Sequence, residues 1–99
     1  MKVYDNCPKP GRVWSVEVPS RIGRRRLCRI IEAIPGVRIM QSPGIFSWIR
    51  DEPFCRFELG GREFIVEATW PVGERFEITP DPRGCAKELL SIRAALLAY

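Results

Sequence analysis

The sequence has no histidine, which is the side chain that most often performs general acid–base catalysis and a common metal ligand. It also has no CxxC pair, because its four cysteines, Cys7, Cys28, Cys55 and Cys85, lie far apart. Such spacing is typical of neither a zinc site nor a dithiol redox site. We therefore expect reduced cysteines, no metal, no cofactor and no catalytic residues, and we predict that the protein is not an enzyme.

Long apolar runs are absent as well. The longest, from Ala94 to Tyr99, is far shorter than the ~20 residues that a membrane-spanning helix needs. Residues 1–10 contain Asp5 and two prolines and lack the apolar core of a secretory signal. Because 99 residues with 45% hydrophobic side chains suit one globular domain, we predict a single cytoplasmic domain over 1–99. Residues 1–10 are expected to form an irregular N-terminal arm.

The first half of the chain carries the pattern of a strand followed by a helix. Residues 12–18 alternate between two faces, which predicts a half-buried strand. Ser20 fits the N-cap of a helix, and Pro35 and Gly36 fit its end. Four residues at helical spacing predict the buried face of this helix: Leu27, Ile30, Ile31 and Ile34.

The second half predicts a meander of antiparallel strands. Its clearest signal is a pair of alternating runs, 54–59 and 62–69, joined by Gly60 and Gly61. Two glycines permit the positive φ angles of a tight hairpin turn, so a hairpin is expected here. Further strands are expected at 37–41 and 75–79, and residues 45–49 form either a strand or a packed loop.

A second helix is predicted after these strands. Asp81 followed by Pro82 is a typical N-cap and first-turn pair, and Leu89, Ile92 and Leu96 form an apolar row behind it. The element order is then β-α-β(β)-β-β-β-α. This order predicts an α+β domain with a mainly antiparallel sheet and both helices on one face of it.

Positive charge is concentrated near the start of the first helix. Residues 1–40 carry nine basic and three acidic side chains, a net charge of +6, while the rest of the chain has a net charge of −2. Arginines at this position oppose the helix dipole, which favours acidic side chains there. Five arginines make up the predicted anion-binding or nucleic-acid-binding cluster: Arg21, Arg24, Arg25, Arg26 and Arg29.

Two interpretations of this cluster stay open. A phosphate or carboxylate at the helix N-terminus would satisfy both the free backbone N–H groups and the guanidinium groups. Alternatively, the arginines form a solvated helix face or pair with glutamates of the sheet such as Glu63 and Glu67. Surface ion pairs of that kind contribute only ~0–1 kcal/mol each.

The predicted second helix has a wider apolar arc than one contact with a sheet requires. Leu90, Leu97 and Tyr99 are therefore predicted to form an interface, and a symmetric homodimer is the simplest partner. The alternative is a helix packed deeply against the sheet and the loop over 42–53.

The three tryptophans are divided between interior and surface. Trp70 lies between Thr69 and Pro71 in a predicted turn, so we expect it to be exposed and to join the interface. Trp14 and Trp48 are expected in the core. Their neighbouring arginines leave open a second possibility, that both rings are stacking platforms for nucleic-acid bases.

The leading hypothesis from the sequence is a non-catalytic binding module that acts through protein–protein contacts, with self-association as the simplest form. A nucleic-acid-binding module that uses the arginine cluster is the first alternative. A sensor for an anion or a phosphorylated small ligand at the same helix terminus is the second. No membrane partner is expected.

Overall fold

Six β-strands and two α-helices make up the described part of the chain. The computed structural model describes residues 1–6, 13–41, 53–69 and 73–99. A 3-10 turn at Ser20–Ile22 precedes the first helix. The strands are β1 Tyr4–Asn6, β2 Ser15–Pro19, β3 Arg38–Gln41, β4 Cys55–Leu59, β5 Arg62–Ala68 and β6 Arg75–Asp81, and the helices are α1 Arg24–Glu32 and α2 Glu88–Leu97.

All six strands form one antiparallel sheet in the order β1-β2-β6-β5-β4-β3. The predicted hairpin consists of β4 and β5, which are joined by Gly60 and Gly61 with φ angles of +62° and +79°. The register places Phe57 opposite Phe64, and their rings stack with centroids 5.2 Å apart. The hairpin prediction is confirmed.

One face of the sheet carries the hydrophobic core. Alternate residues of the four central strands point to this face and are buried, among them Val16, Phe57, Phe64 and Ile78. Both helices cover this face with their apolar rows. The helical contribution to the same core cluster consists of Leu27, Cys28, Ile30, Ile31, Leu89, Ile92 and Leu96. The predicted α+β class and both apolar helix faces are confirmed.

The N-terminal residues differ from their prediction. Instead of a wholly irregular arm, Tyr4–Asn6 forms β1 and pairs with β2, with Tyr4 opposite Glu17. A three-residue strand is too short to show an alternating pattern, and its backbone hydrogen bonds come from a partner that lies later in the sequence. The prediction for residues 1–10 was therefore wrong at this strand.

The starts of both helices were also predicted wrongly. Ser20 begins the 3-10 turn, and α1 starts only at Arg24 after Gly23, whose φ is +88°. Asp81 ends β6, where it pairs with Glu63, and α2 starts at Glu88. Because β5 pairs with β6 as far as Asp81, the sheet ladder extends the strand to the residue that the local pattern assigned to a helix start.

The surface also holds one unexpected aromatic residue. Trp14 was expected in the core, but it precedes β2 and is 51% exposed. Residues 45–49, Trp48 and Trp70 lie outside the described residues, so their predictions stay predictions. Within the described ranges, neither helix is long and apolar enough to cross a membrane.

Candidate functional site: a basic groove beside the first helix

The arginine cluster is positioned by the 3-10 turn and the first two turns of α1. The turn places Arg21 at the surface, and Gly23 redirects the chain into the helix. The apolar face of α1 is fixed against the sheet by its buried residues. Because the helix repeats every 3.6 residues, the opposite face must point outward. Arg25, Arg26 and Arg29 lie on that outer face and are exposed.

Arg24 does not join these arginines. Its guanidinium carbon lies 4.7 Å from the centre of the Phe54 ring and 6.0 Å from that of Phe76. These are cation–π distances, and Arg24 is only half-exposed. Arg24 thus belongs to the packing between α1 and the sheet, and the structure groups four of the five predicted arginines.

The four exposed arginines differ in their ion pairing from five other arginines of the described chain. Within the described residues, none of Arg21, Arg25, Arg26 and Arg29 forms an ion pair. Five other arginines each lie 3.0–3.8 Å from a carboxylate oxygen: Arg38, Arg56, Arg75, Arg83 and Arg93. The exposed arginines without an ion pair in the described chain are therefore concentrated in and just before α1.

The predicted pairing with glutamates of the sheet has a geometric obstacle. Glu63 and Glu67 lie on the face of the sheet that points away from both helices, and Glu67 is 3.7 Å from Arg83. The first turn of α1 also has no acidic residue and no side-chain cap. Its free N–H groups and the positive end of the helix dipole therefore add to the potential of the arginines.

Two adjoining cavities form a groove at this end of the molecule. One has a volume of about 360 Å³ and includes Arg26 and Tyr99 in its wall. The other has a volume of about 460 Å³ and includes Tyr4 and Arg75. The cavities share Lys2, Pro19 and Arg21, so we describe them as one basic groove.

The groove contains residues that the sequence did not connect with the cluster. Lys2 and Tyr4 lie at the start of the chain, and Arg75 begins β6. The sheet register unites them, because Tyr4 pairs with Glu17 while Pro19 pairs with Arg75. The Tyr4 ring carries two cations, the Arg75 guanidinium at 3.6 Å and the Lys2 ammonium at 5.4 Å from its centre. No local signal in the sequence indicates this neighbourhood.

The predicted interface residues of α2 are separated by the structure. Tyr99, which is 59% exposed, lines the basic groove. Leu90 and Leu97 are about half exposed and line none of the cavities described here. They are seven residues apart and so lie on the same side of α2. The predicted interface and homodimer stay predictions.

Two of the three cysteines in the described chain are buried. Cys28 of α1 and Cys55 of β4 are buried free thiols whose sulfur atoms lie 3.4 Å apart, and Cys85 is a half-exposed free thiol. The hydrogen bond to Cys28, together with burial, raises the pKa of Cys55 far above its ordinary value. Among the described residues, no three His, Cys, Asp or Glu side chains come together as a metal site.

The side chains of the groove are therefore suited to binding a ligand. The groove offers three guanidinium groups, an ammonium group, two phenol rings and one carboxylate, that of Glu74. Because the cations outnumber the carboxylate, the groove suits an anionic ligand that also has flat faces. Comparisons with protein-family models, with curated proteins and with solved structures found no match to this chain.

Proposed function

We propose that the domain binds single-stranded nucleic acid along the basic groove. The observation that carries this proposal is the contrast between the arginines. Arg21, Arg25, Arg26 and Arg29 have no carboxylate partner in the described chain, while five other arginines do. Unpaired arginines on one surface favour a ligand that supplies many negative charges, as a phosphate backbone does.

The shape of the groove favours a single strand. Arg21 and Lys2 line both cavities and are therefore central, while Arg26 lies towards one end and Arg75 towards the other. A flexible backbone can follow such a line of cations. The exposed Tyr99 lies at one end and the half-buried Tyr4 at the other, and aromatic rings beside cations provide stacking surfaces for unpaired bases.

The face of the sheet that points away from both helices, here called the open face, limits where the ligand can lie. Two rows of carboxylates cross that face, one of them formed by Glu17, Glu77 and Glu67. A phosphate backbone is repelled by such a surface. Tyr4 and Arg75 lie on this face beside Glu17, so the phosphates are expected mainly at the α1 end of the groove. Arg25 and Arg29, which neighbour Arg26 on the outer face of the helix, would attract additional phosphates there.

Salt dependence tests the proposal. We would titrate short labelled oligothymidylate and oligouridylate with the protein by fluorescence anisotropy over a range of salt concentrations. In the double variant Arg21→Ala and Arg26→Ala, two phosphate contacts are lost. Because each contact contributes ~0.7 to the slope of log K against log salt for single strands, the slope should fall in magnitude by about 1.4.

The matched control removes the same charge from another surface. Arg38→Ala and Arg83→Ala eliminate two exposed arginines whose ion pairs lie on the open face of the sheet. This double variant should keep the slope of the wild type. If both double variants reduce the slope equally, the net charge of the protein determines binding and the groove is not the site.

A further inference from the structure

A separate cavity lies on the face of the sheet opposite the helices. Its volume is about 440 Å³, and it lies where β1, β2 and β6 meet. It is independent of the basic groove, with which it shares no lining residue. Six side chains of the described residues line it: Asn6, Trp14, Ser15, Glu77, Thr79 and Arg83.

Glu77 gives this cavity a negative charge, and no ion pair of Glu77 is found among the described residues. Its cross-strand neighbours are Glu17 on β2 and Glu67 on β5, so three carboxylates lie side by side. Glu17 lies 3.8 Å from Arg75, and Glu67 lies 3.7 Å from Arg83. In the described chain, the only partner of the Glu77 carboxylate is the hydroxyl of Ser15, which donates to Oε2 at 3.1 Å. The potential in the cavity therefore favours a cation.

Thr79 adds a polar group that needs a partner. It is only 3% exposed, lines the cavity, and has no hydrogen-bond partner for its hydroxyl in the described part of the chain. A buried hydroxyl without a partner destabilises the fold by about 1–3 kcal/mol. A ligand whose donor reached this hydroxyl from the cavity would remove this penalty.

Asn6 is fixed in an orientation that leaves an acceptor available. Its amide nitrogen donates to Ser15 Oγ at 2.6 Å and to Glu17 Oε2 at 3.1 Å. Since a carboxylate only accepts hydrogen bonds, this contact fixes which end of the amide is the nitrogen. The Asn6 Oδ1 atom accepts none of the side-chain hydrogen bonds found among the described residues.

Trp14 supplies the remaining wall. It is 51% exposed and borders the cavity. The indole ring is the best aromatic partner for an organic cation. Arg83 is the one cation in the described wall, and its side chain is 74% exposed and directed towards Glu67.

We propose that this cavity binds the ammonium group of a primary amine. A primary ammonium has three hydrogen-bond donors and no acceptor. Glu77, Thr79 and Asn6 supply three acceptors, and the carbon chain or ring of the amine lies against Trp14. Either a free small amine or the lysine side chain of a partner protein presents this chemistry.

The first test compares benzylamine with benzyl alcohol, which has the same ring but no charge. We would follow the indole N–H of Trp14 and the backbone amide of Thr79 by NMR. Benzylamine should shift both signals saturably, whereas benzyl alcohol should leave them unchanged. Equal shifts with the two compounds, or no shift with benzylamine, would overturn the proposal.

Variants of the cavity give the second test. Glu77→Gln keeps the shape and removes the charge, so the affinity for benzylamine should fall about tenfold or more. Thr79→Val should weaken binding less, by about fivefold. Glu63→Gln removes a carboxylate of the same face that does not line the cavity. Its affinity for benzylamine should stay within twofold of the wild-type value. A Glu77→Gln variant that binds like the wild type would refute the assignment, as would an equal loss in Glu63→Gln.

A short lysine peptide and its acetyl-lysine counterpart distinguish the two sources of the ammonium group. Binding of benzylamine and of the lysine peptide, but not of the acetylated one, supports a protein partner. Binding of benzylamine alone supports a free amine. If the acetylated peptide binds as well as the lysine peptide, the ammonium is not recognised and the proposal fails.

Discussion

The two faces of the sheet differ in their side chains and in how much they contribute to the stability of the fold. The covered face presents fully buried apolar residues such as Phe57, Phe64 and Ile78. The open face presents charged residues from the same strands, because successive side chains of a strand point to opposite sides. The comparison shows that the covered face supplies the folding free energy through burial, which leaves the open face free to hold groups that do not stabilise the fold.

The open face in fact contains unfavourable pairs. Glu63 lies directly between Glu58 and Asp81 across the strands, and like charges in such positions are destabilising. Arg38 and Arg56 offset part of this repulsion through contacts of 3.2 and 3.0 Å with Glu58 and Asp81. Near α1, the exposed Arg21, Arg25, Arg26 and Arg29 have no such partners in the described residues. Positive charge is thus available for binding on one side and negative charge on the other.

The largest effect is expected from the core. Phe57→Ala removes a buried ring that stacks on Phe64, so the free energy of unfolding should fall by about 3–5 kcal/mol. Ile65→Ala, in the adjacent strand but on the open face, should cost only about 1 kcal/mol, because Ile65 is half-buried. Urea unfolding measures both values. Equal losses of unfolding free energy in the two variants would contradict the conclusion that the covered face supplies most of the stability.

A smaller change in stability should distinguish Arg24 from Arg26 when each is replaced by alanine. Arg24→Ala removes the cation over the Phe54 ring and should destabilise the fold by about 0.5–2 kcal/mol, without changing the salt dependence of oligonucleotide binding. Arg26→Ala should change oligonucleotide binding and leave the stability of the fold nearly unchanged. Its stability should stay within about 0.5 kcal/mol of the wild type, and its salt slope should fall by about 0.7. A salt slope that falls equally in both variants would place Arg24 in the binding site.

The smallest effect is expected from relief of repulsion on the open face. Glu63→Gln removes the central charge of its row and should stabilise the fold by about 0.2–1 kcal/mol in dilute buffer. The gain should shrink at about 1 M salt, where charges are screened beyond about 3 Å. Thermal unfolding at both salt concentrations measures this difference. A gain that does not change with salt would indicate a cause other than charge.

Local patterns predicted much of the fold. The hairpin over 54–69 needs only two alternating runs and two glycines, and α1 needs only apolar residues at helical spacing. Such elements depend on neighbours within a few residues, so the sequence shows them directly. The predictions failed where pairing over long range determined the result, at β1 and at the start of α2.

The candidate sites show the same division. The concentration of arginines at 21–29 is visible in the sequence, but its separation into one packed arginine and four exposed ones is not. Trp14 has the pattern of a core residue and lies at the surface beside Glu77, a residue more than sixty positions later.

The sequence by itself determined the fold class, the hairpin, the apolar faces of both helices and the position of the basic cluster. The tertiary structure alone decided which residues meet in the basic groove and in the cavity on the open face. The physical reason is the sheet order, in which β6 lies between β2 and β5. This order brings residues from both ends of the chain together, and no local spacing in the sequence records their proximity.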